Sequence, residues 1–356
     1  MKIAYYISDY GYGHATRSIA IIRELLKRNS EIMITICHSF ATELLINSFD
    51  DNRVTLRVIP TDVGYILNLD TLELDSEKMK KMYEEYLYFR PQKIKKEINF
   101  LKHNQISCVI TDIYSIAIEA ANELNIVSIG ISNFLWSEVY GNIIEESKLE
   151  VMKDAYKKMT YYFQLEGSVN ASKTYNFFSR KINVREVERI RADLNISSKD
   201  TVIFYGLGMR VDHSHQLSNK SPLWSTENCK FIVSSHVDIS HPNVHKIPKD
   251  YIETQNYVAV SDFTITKPGW STVGEALCGE SRIILVNRAS FNEDQATINK
   301  LKKSNHCKVL TINELLLLNI SKETINQLNE LIQLRSIGNE IDSLMNDLQK
   351  KLDEVK

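Results

Sequence analysis

Short apolar runs rich in β-branched residues alternate with longer amphipathic stretches along most of the chain. In the first half, residues 3–7, 32–37, 54–59, 108–111 and 126–132 predict strands, while 15–28, 40–48, 76–103 and 115–124 predict helices. The strand segments are continuously apolar rather than alternating, as expected when helices cover both faces of a parallel sheet.

Around residues 165–200 the pattern changes to a polar stretch with Gly167 and Asn170, followed by a charged helix over 184–194. A new apolar strand over 201–205 ends in Gly206-Leu-Gly208, and further strands are expected at 231–234, 263–266, 283–286 and 309–310, again alternating with helices. The fold class is therefore α/β, with two Rossmann-like domains in series: 1–165, a linker and connecting helix over 166–199, and 200–335. Residues 336–356 form a charged C-terminal helix whose Leu344, Leu348 and Leu352 make one narrow apolar stripe. Such a helix packs on one domain, bridges both, or pairs with a second copy, so monomer and homodimer both stay open. No repeat of 20–50 residues marks a solenoid.

Composition narrows the function classes. The 356 residues allow a sizeable core in each domain, and 43% hydrophobic with 25% charged residues is a globular balance. A net charge of −2 gives no general drive toward nucleic acid or an anionic membrane. The five cysteines are scattered without C-x-x-C spacing, which reads as reduced thiols in a cytoplasmic protein. The first residues do not resemble a secretory signal, and no segment approaches the roughly 20 apolar residues that span a bilayer. Any membrane contact is thus expected to be peripheral.

Candidate chemistry begins where the first strand turns into the first helix, at Gly11-Tyr-Gly-His-Ala-Thr-Arg17. Loops at the carboxyl ends of strands in an open α/β sheet face the ligand crevice, and Gly11 and Gly13 permit close backbone approach. His14 and Arg17, three apart, share one edge of the helix's first turns. A glycine-rich loop with a solvated His and Arg is the alternative.

A second strand–turn–helix motif runs over 262–280 and contains Lys-Pro-Gly269-Trp270-Ser271-Thr272-Val-Gly-Glu275. Gly269 and the following N–H groups at a helix N-terminus suit a phosphate. Thr272 and Glu275 also fit a capping box, in which the glutamate serves only the helix end. After the next strand, Asn292, Glu293, Asp294 and Gln295 cluster as groups able to pair with sugar hydroxyls, or as acids favouring a helix dipole.

The order of these motifs resembles GT-B glycosyltransferases of the MurG and UDP-glycosyltransferase type. It is closer still to the glycosyltransferase-like N-terminal region of arabinokinases, which carries a Gly-x-Gly-His-Ala-Thr-Arg signature. Thr111-Asp112, Ser132-Asn-Phe-Leu-Trp136 and Phe291-Asn-Glu share that likeness, which runs from residue 2 to about 301. The resemblance implies two domains facing each other across a cleft. It also implies a nucleotide-diphosphate-sugar donor as co-substrate, no further cofactor, no metal, and a small-molecule, glycan or lipid-linked acceptor. On this chain Gly269 and the N–H groups of Trp270, Ser271 and Thr272 would cradle the diphosphate. Glu275 would accept from ribose hydroxyls, and Asp294 and Gln295 would contact the sugar. His14 would be the general base, with Asp112 as its carboxylate partner and Asp9 second. Helix capping is the competing role for Asp112, and a substrate contact without proton transfer is that for His14. Arg17 and Gly208 are further cleft candidates.

Two departures from the family stand out. The chain lacks the Gly/Ser-rich phosphate loop of sugar kinases, so kinase activity is not expected, and the loop from Gly206 to His215 is not the family's short Gly/Ser turn. His213, His215, His236, His241 and His245 invite a zinc reading, but lack a fixed cysteine–histidine pattern. The segment 76–103 mixes aromatics and lysines, and reads as a helix packed on its own domain or as a surface for acceptor or lipid. A nucleotide-sugar hydrolase or epimerase and a non-catalytic nucleotide-sugar-binding module remain alternative functions. A dehydrogenase is disfavoured, because the first motif lacks the third Gly/Ala of the dinucleotide fingerprint.

Overall fold

Lys2–Tyr6 (β1), Met33–Cys37 (β2), Val54–Arg57 (β3), Cys108–Thr111 (β4), Val127–Ser132 (β5) and Tyr161–Gln164 (β6) pair in parallel in the order β3-β2-β1-β4-β5-β6. The computed structural model describes residues 1–66, 74–166, 174–208, 222–288, 292–318, 320–334 and 338–355. Four residues of β1 and all four of β4 are buried, because helices cover both faces of the sheet.

The second sheet repeats the plan. Thr201–Gly206 (β7), Cys229–Val233 (β8), Val244–Lys246 (β9), Phe263–Thr266 (β10), Arg282–Val286 (β11) and Cys307–Leu310 (β12) are ordered β12-β11-β10-β7-β8-β9, all parallel. Its core gathers Ile203, Tyr205, Trp224, Phe231, Ile265 and Ile284, with Leu315 and Leu328 from the later helices. Each sheet has the doubly wound order, with its first and fourth strands adjacent. At that reversal the connections leave to opposite sides, which opens a crevice beyond the strand ends.

The chain divides into two compact units, 1–176 with 341–356, and 177–340. The first unit extends beyond the expected boundary at 165. Tyr175 bridges Leu165, donates its N–H to the Gln164 carbonyl at 2.9 Å and packs its ring on Phe163, which ties 174–176 to the edge strand β6. The segment expected as a linker from 177 onward joins the second unit, because Phe177 and Phe178 pack on Trp270.

The terminal helix Ile341–Asp353 returns to the first unit. Its apolar stripe of Leu344, Leu348 and Leu352 is buried, with Met345 beside it. Asn346 accepts from Arg28 at 2.7 Å and Gln349 accepts from Asn29 at 2.7 Å, which seats the helix against the C-terminal end of Tyr12–Arg28. Strands β6 and β9 were not expected from the sequence. Both are edge strands of three or four residues, with no fully apolar run to reveal them.

Candidate active site

β1 and β4 are neighbours at the reversal point of the first sheet, and the segments leaving them carry His14 and Asp112. Tyr6 pairs with Thr111, and the Asp112 N–H donates to the Tyr6 carbonyl at 2.8 Å, which extends the ladder one residue past the sheet. Gly11 turns the chain with φ of 88°, a left-handed conformation that a Cβ would strain, and the helix begins at Tyr12. The first turns of that helix then bring His14 and Arg17 over the end of β4.

His14 Nδ1 lies 2.6 Å from Asp112 Oδ2, and Arg17 Nη2 donates to Asp112 Oδ1. Arg17 Nη1 donates to Asn133 Oδ1 at 2.6 Å and Nη2 also reaches Ser132 Oγ at 3.3 Å, both just beyond or at the end of β5. Burial raises the Asp112 pKa, but the charges and hydrogen bonds of Arg17 and His14 outweigh it, so the net shift is downward and the group is a carboxylate. A carboxylate only accepts, which places the histidine proton on Nδ1 and leaves the basic lone pair on Nε2. The helix Ser115–Glu123 is preceded by Tyr114 and takes no side-chain cap, so Asp112 serves the histidine rather than the helix end.

Asp9, the second candidate partner, is engaged elsewhere. It accepts from Ser39 N–H at 2.8 Å, Ser39 hydroxyl at 2.7 Å and Thr61 N–H at 2.9 Å, and lies 3.0 Å from His38 Nδ1. Burial opposes its charge, yet these hydrogen bonds hold its pKa down at about 2. Asp9 thus fastens together the loops that follow β1, β2 and β3. Asp62, on the third of these loops, has a buried Oδ2 without a hydrogen-bond partner among the described residues. Burial and the charges of Asp9 and Asp112 push its pKa up to about 8, while nearby Ser8 and Trp136 favour the anion without reaching hydrogen-bond geometry. Aromatic rings close over the group: Phe134 meets the His14 ring edge-on at 5.8 Å, and Tyr10, Tyr65 and Trp136 pack mutually at 5.4–5.9 Å.

In the second unit the reversal point lies between β7 and β10, where Gly206 pairs with Thr266. Gly208, with φ of 100°, and Gly269 turn the two chains away from the sheet. Lys267 lies against both: a Cβ at Gly208 would stand 3.2 Å from Lys267 Cε, and one at Gly269 would stand 3.3 Å from the same atom. The helix Trp270–Cys278 follows with Gly269 as its N-cap, so no side chain covers its first turn.

Trp270 turns its ring inward onto Phe177 and Phe178, which leaves its backbone, with those of Ser271 and Thr272, to form the helix N-terminus. Thr272 falls at the third helical position, so the alternative capping box is not formed. Glu275 instead accepts at Oε1 from Arg180 Nη2, at 2.9 Å. Arg180, 1% exposed, also donates to the Ile252 carbonyl at 2.6 Å and Thr254 Oγ1 at 2.9 Å.

The acidic loop behaves differently from expectation. Asp294 is 1% exposed and gives both oxygens to Arg288, at 2.7 and 2.8 Å, while Gln295 donates to Asn287 Oδ1 at 3.1 Å. Both side chains thus brace the end of β11, and Asp294 presents no open carboxylate. Glu293 and Asp294 also stand in the first turn of Asn292–Lys303, where acids suit the helix dipole. His213 and His215 lie outside the described residues. Among the described residues no three His, Cys, Asp or Glu side chains group as metal ligands.

No protein-family model matches the chain. It is 24% identical over 315 residues to an L-arabinokinase of Arabidopsis thaliana, covering 85% of this chain and 30% of that protein. The chain thus spans under a third of that relative's length. Among solved structures it superposes on the calicheamicin glycosyltransferase CalG4 with a TM-score of 0.63 at 13% identity, covering 99% of this chain and 98% of the other. The fold is that of the GT-B glycosyltransferases. Arabidopsis thaliana UGT89C1, solved in complex with UDP, matches with a TM-score of 0.61 at 11% identity over 97% and 99% of the two chains.

Within the GT-B fold, most of the residues singled out in the sequence fall at the two reversal points, while Asp294 and Gln295 lie beyond the end of β11. His14, Arg17 and Asp112 stand at the first; Gly208, Gly269, the N–H groups of 270–272 and Glu275 stand on the elements leaving the second. Lys267, Arg180, Arg288 and Asn133 were not anticipated. Lys267 precedes the glycine turn directly, and its adjacency was the one signal available. The other three act through partners 6 to 116 residues away, which no local pattern encodes.

Proposed function

We propose that the protein transfers a sugar from a nucleotide-diphosphate-sugar to an acceptor hydroxyl, with inversion, and that His14 is the general base. The observation that carries this reading is the 2.6 Å contact of His14 Nδ1 with Asp112 at the reversal point of the first sheet. A carboxylate behind Nδ1 fixes the tautomer and stabilises the imidazolium that forms when Nε2 takes a proton. In the step, the acceptor oxygen forms a bond to the anomeric carbon as its proton passes to Nε2. The bond from that carbon to the phosphate oxygen breaks, and the nucleoside diphosphate leaves with the electron pair.

The second unit supplies the donor side of this reading. Gly208 and Gly269 leave room for a diphosphate beside the Lys267 side chain, and the N–H groups of Trp270, Ser271 and Thr272 carry the partial positive charge of a helix start. These fixed positive groups would take up the charge of the leaving group without a divalent ion. Glu275, anchored through one oxygen by Arg180, would offer the other to ribose hydroxyls. UDP in the UGT89C1 structure supports a uridine nucleotide as the first donor to test. Free cysteines at positions 37, 108, 229, 278 and 307 suit a reducing, cytoplasmic compartment.

The test begins with a thermal-shift screen of UDP-, GDP- and dTDP-sugars, in which a binding donor raises Tm. Turnover is then measured with and without candidate acceptors. Absence of stabilisation by every nucleotide-sugar would overturn the reading, and release of free sugar at the full rate without acceptor would replace transfer by hydrolysis.

A further inference from the structure

Arg17 lies beneath the His14–Asp112 pair and is 4% exposed. Its guanidinium spans two strand ends: it donates to Asp112 Oδ1 beyond β4, to Asn133 Oδ1 at 2.6 Å just beyond β5, and to Ser132 Oγ at 3.3 Å at the end of β5. Nη2 also lies 2.8 Å from His14 Nδ1. Because Nδ1 carries its proton toward Asp112 Oδ2, that contact sets two donors side by side, each aimed at its own oxygen of one carboxylate.

We propose that Arg17 is a positioning residue for His14: it holds the Asp112 carboxylate in the plane the imidazole needs and sets a fixed positive charge beside the ring. The inference deepens the reading of His14 as the base and rests on it for its functional meaning. Two opposed charges then govern the imidazole. Asp112 favours its protonation and steadies the imidazolium in the transition state, and Arg17 opposes protonation of the resting ring. A histidine facing Asp112 alone would be more basic and would spend more of its time already protonated. A planar fork with fixed geometry is needed to reach Asp112, Asn133 and Ser132 together, which a lysine cannot do.

The other groups around the ring do not supply this balance. Tyr10 faces it from the loop after β1 at 6.4 Å, Phe134 faces it edge-on, and Tyr5 of β1 lies on the Arg17 and Asp112 side with burial holding its hydroxyl protonated. Asp62, on the loop after β3, is held protonated up to about pH 8 by burial and by the charges of Asp9 and Asp112, so it supplies no positive charge to the pair. Arg17 is thus the cation that bears on the pair from the elements described.

The experiment follows the His14 ring by NMR titration of the full chain labelled at histidine, with the signal assigned by its loss in H14Q. It compares wild type, R17Q and R17K, each first shown to melt cooperatively. R17Q keeps a donor for Asp112 without the charge, and its His14 midpoint should rise by about one pH unit. R17K restores the charge and should bring the midpoint back close to wild type, while kcat stays about tenfold low because the fork to Asn133 and Ser132 is lost. An unmoved midpoint in R17Q, or a midpoint in R17K raised as far as in R17Q, overturns the inference. Full turnover in H14A would instead overturn the assignment of the base, with the titration result standing on its own.

Discussion

Arg180 and Glu275, 95 residues apart, form a buried 2.9 Å ion pair that ties the helix Trp270–Cys278 to the segment entering the second unit. The arginine arrives from the segment just past the unit boundary and binds the carbonyl of Ile252 with the same guanidinium. Removing one partner of a buried pair strands the other charge, so R180M should lose roughly 3–5 kcal/mol of stability. E275Q keeps an acceptor for Arg180 and should lose less stability, yet weaken nucleotide-sugar binding about tenfold. Urea unfolding and calorimetric titration of both variants separate these effects; equal donor affinity in E275Q and wild type would remove Glu275 from the ribose.

H14A should lower turnover by at least about a hundredfold while leaving donor affinity unchanged, as expected for a base that acts on the acceptor. D112N keeps a similar shape but can no longer select the Nδ1–H tautomer, and should fall by a comparable factor. Steady-state kinetics beside donor titration checks both. Normal kcat in H14A would dismiss the base assignment.

Lys267 packs its stem on Gly208 and Gly269, where an approaching diphosphate would meet its charge. K267M should therefore weaken nucleoside-diphosphate binding by about 1–2 kcal/mol, with Tm little changed because the lysine is only partly buried. Affinity of the wild type for UDP should also fall with added salt, and that of K267M less so. The same UDP affinity in both proteins would place the phosphates elsewhere.

The contribution of Asp62 to stability should fall as pH rises. Its carboxyl ionises at about 8 in the folded chain, against roughly 4 when unfolded, so between these values the native state binds the extra proton. Folding stability from this group is thus highest below about pH 4 and declines by up to 1.36 kcal/mol per pH unit until about pH 8. D62N removes the titration. Its stability relative to wild type should grow by up to roughly 3 kcal/mol between about pH 5 and pH 7.5, read from urea midpoints. A constant difference across that range would mean Asp62 is already ionised.

Asp9 acts in the opposite direction. Its folded pKa of about 2 lies below the unfolded value, so its contribution is present above about pH 4 and is lost as pH falls through about 2. D9N should therefore flatten the acid limb of the stability curve and loosen the loops bearing Ser39 and Thr61, which hydrogen exchange of those amides would register.

The sequence by itself determined the alternation of strand and helix, the two doubly wound units and the glycine turns that begin Tyr12–Arg28 and Trp270–Cys278. Those features follow from local periodicity and from backbone conformations that glycine tolerates, and both are written in consecutive residues. It also singled out His14, Asp112 and Glu275, though the competing capping roles of Asp112 and Glu275 could not be separated without knowing where each helix starts. Tertiary structure decided which partners these side chains meet and that neither carboxylate caps a helix. Parallel pairing of β1 with β4 carried Asp112 to His14 across 98 residues of chain, and Arg180 claimed one oxygen of Glu275. It likewise turned Asp294 toward Arg288 and sent the terminal helix back to the first unit. A carboxylate's partner is fixed by which cation shares its buried space, and that depends on strand order rather than on spacing along the chain.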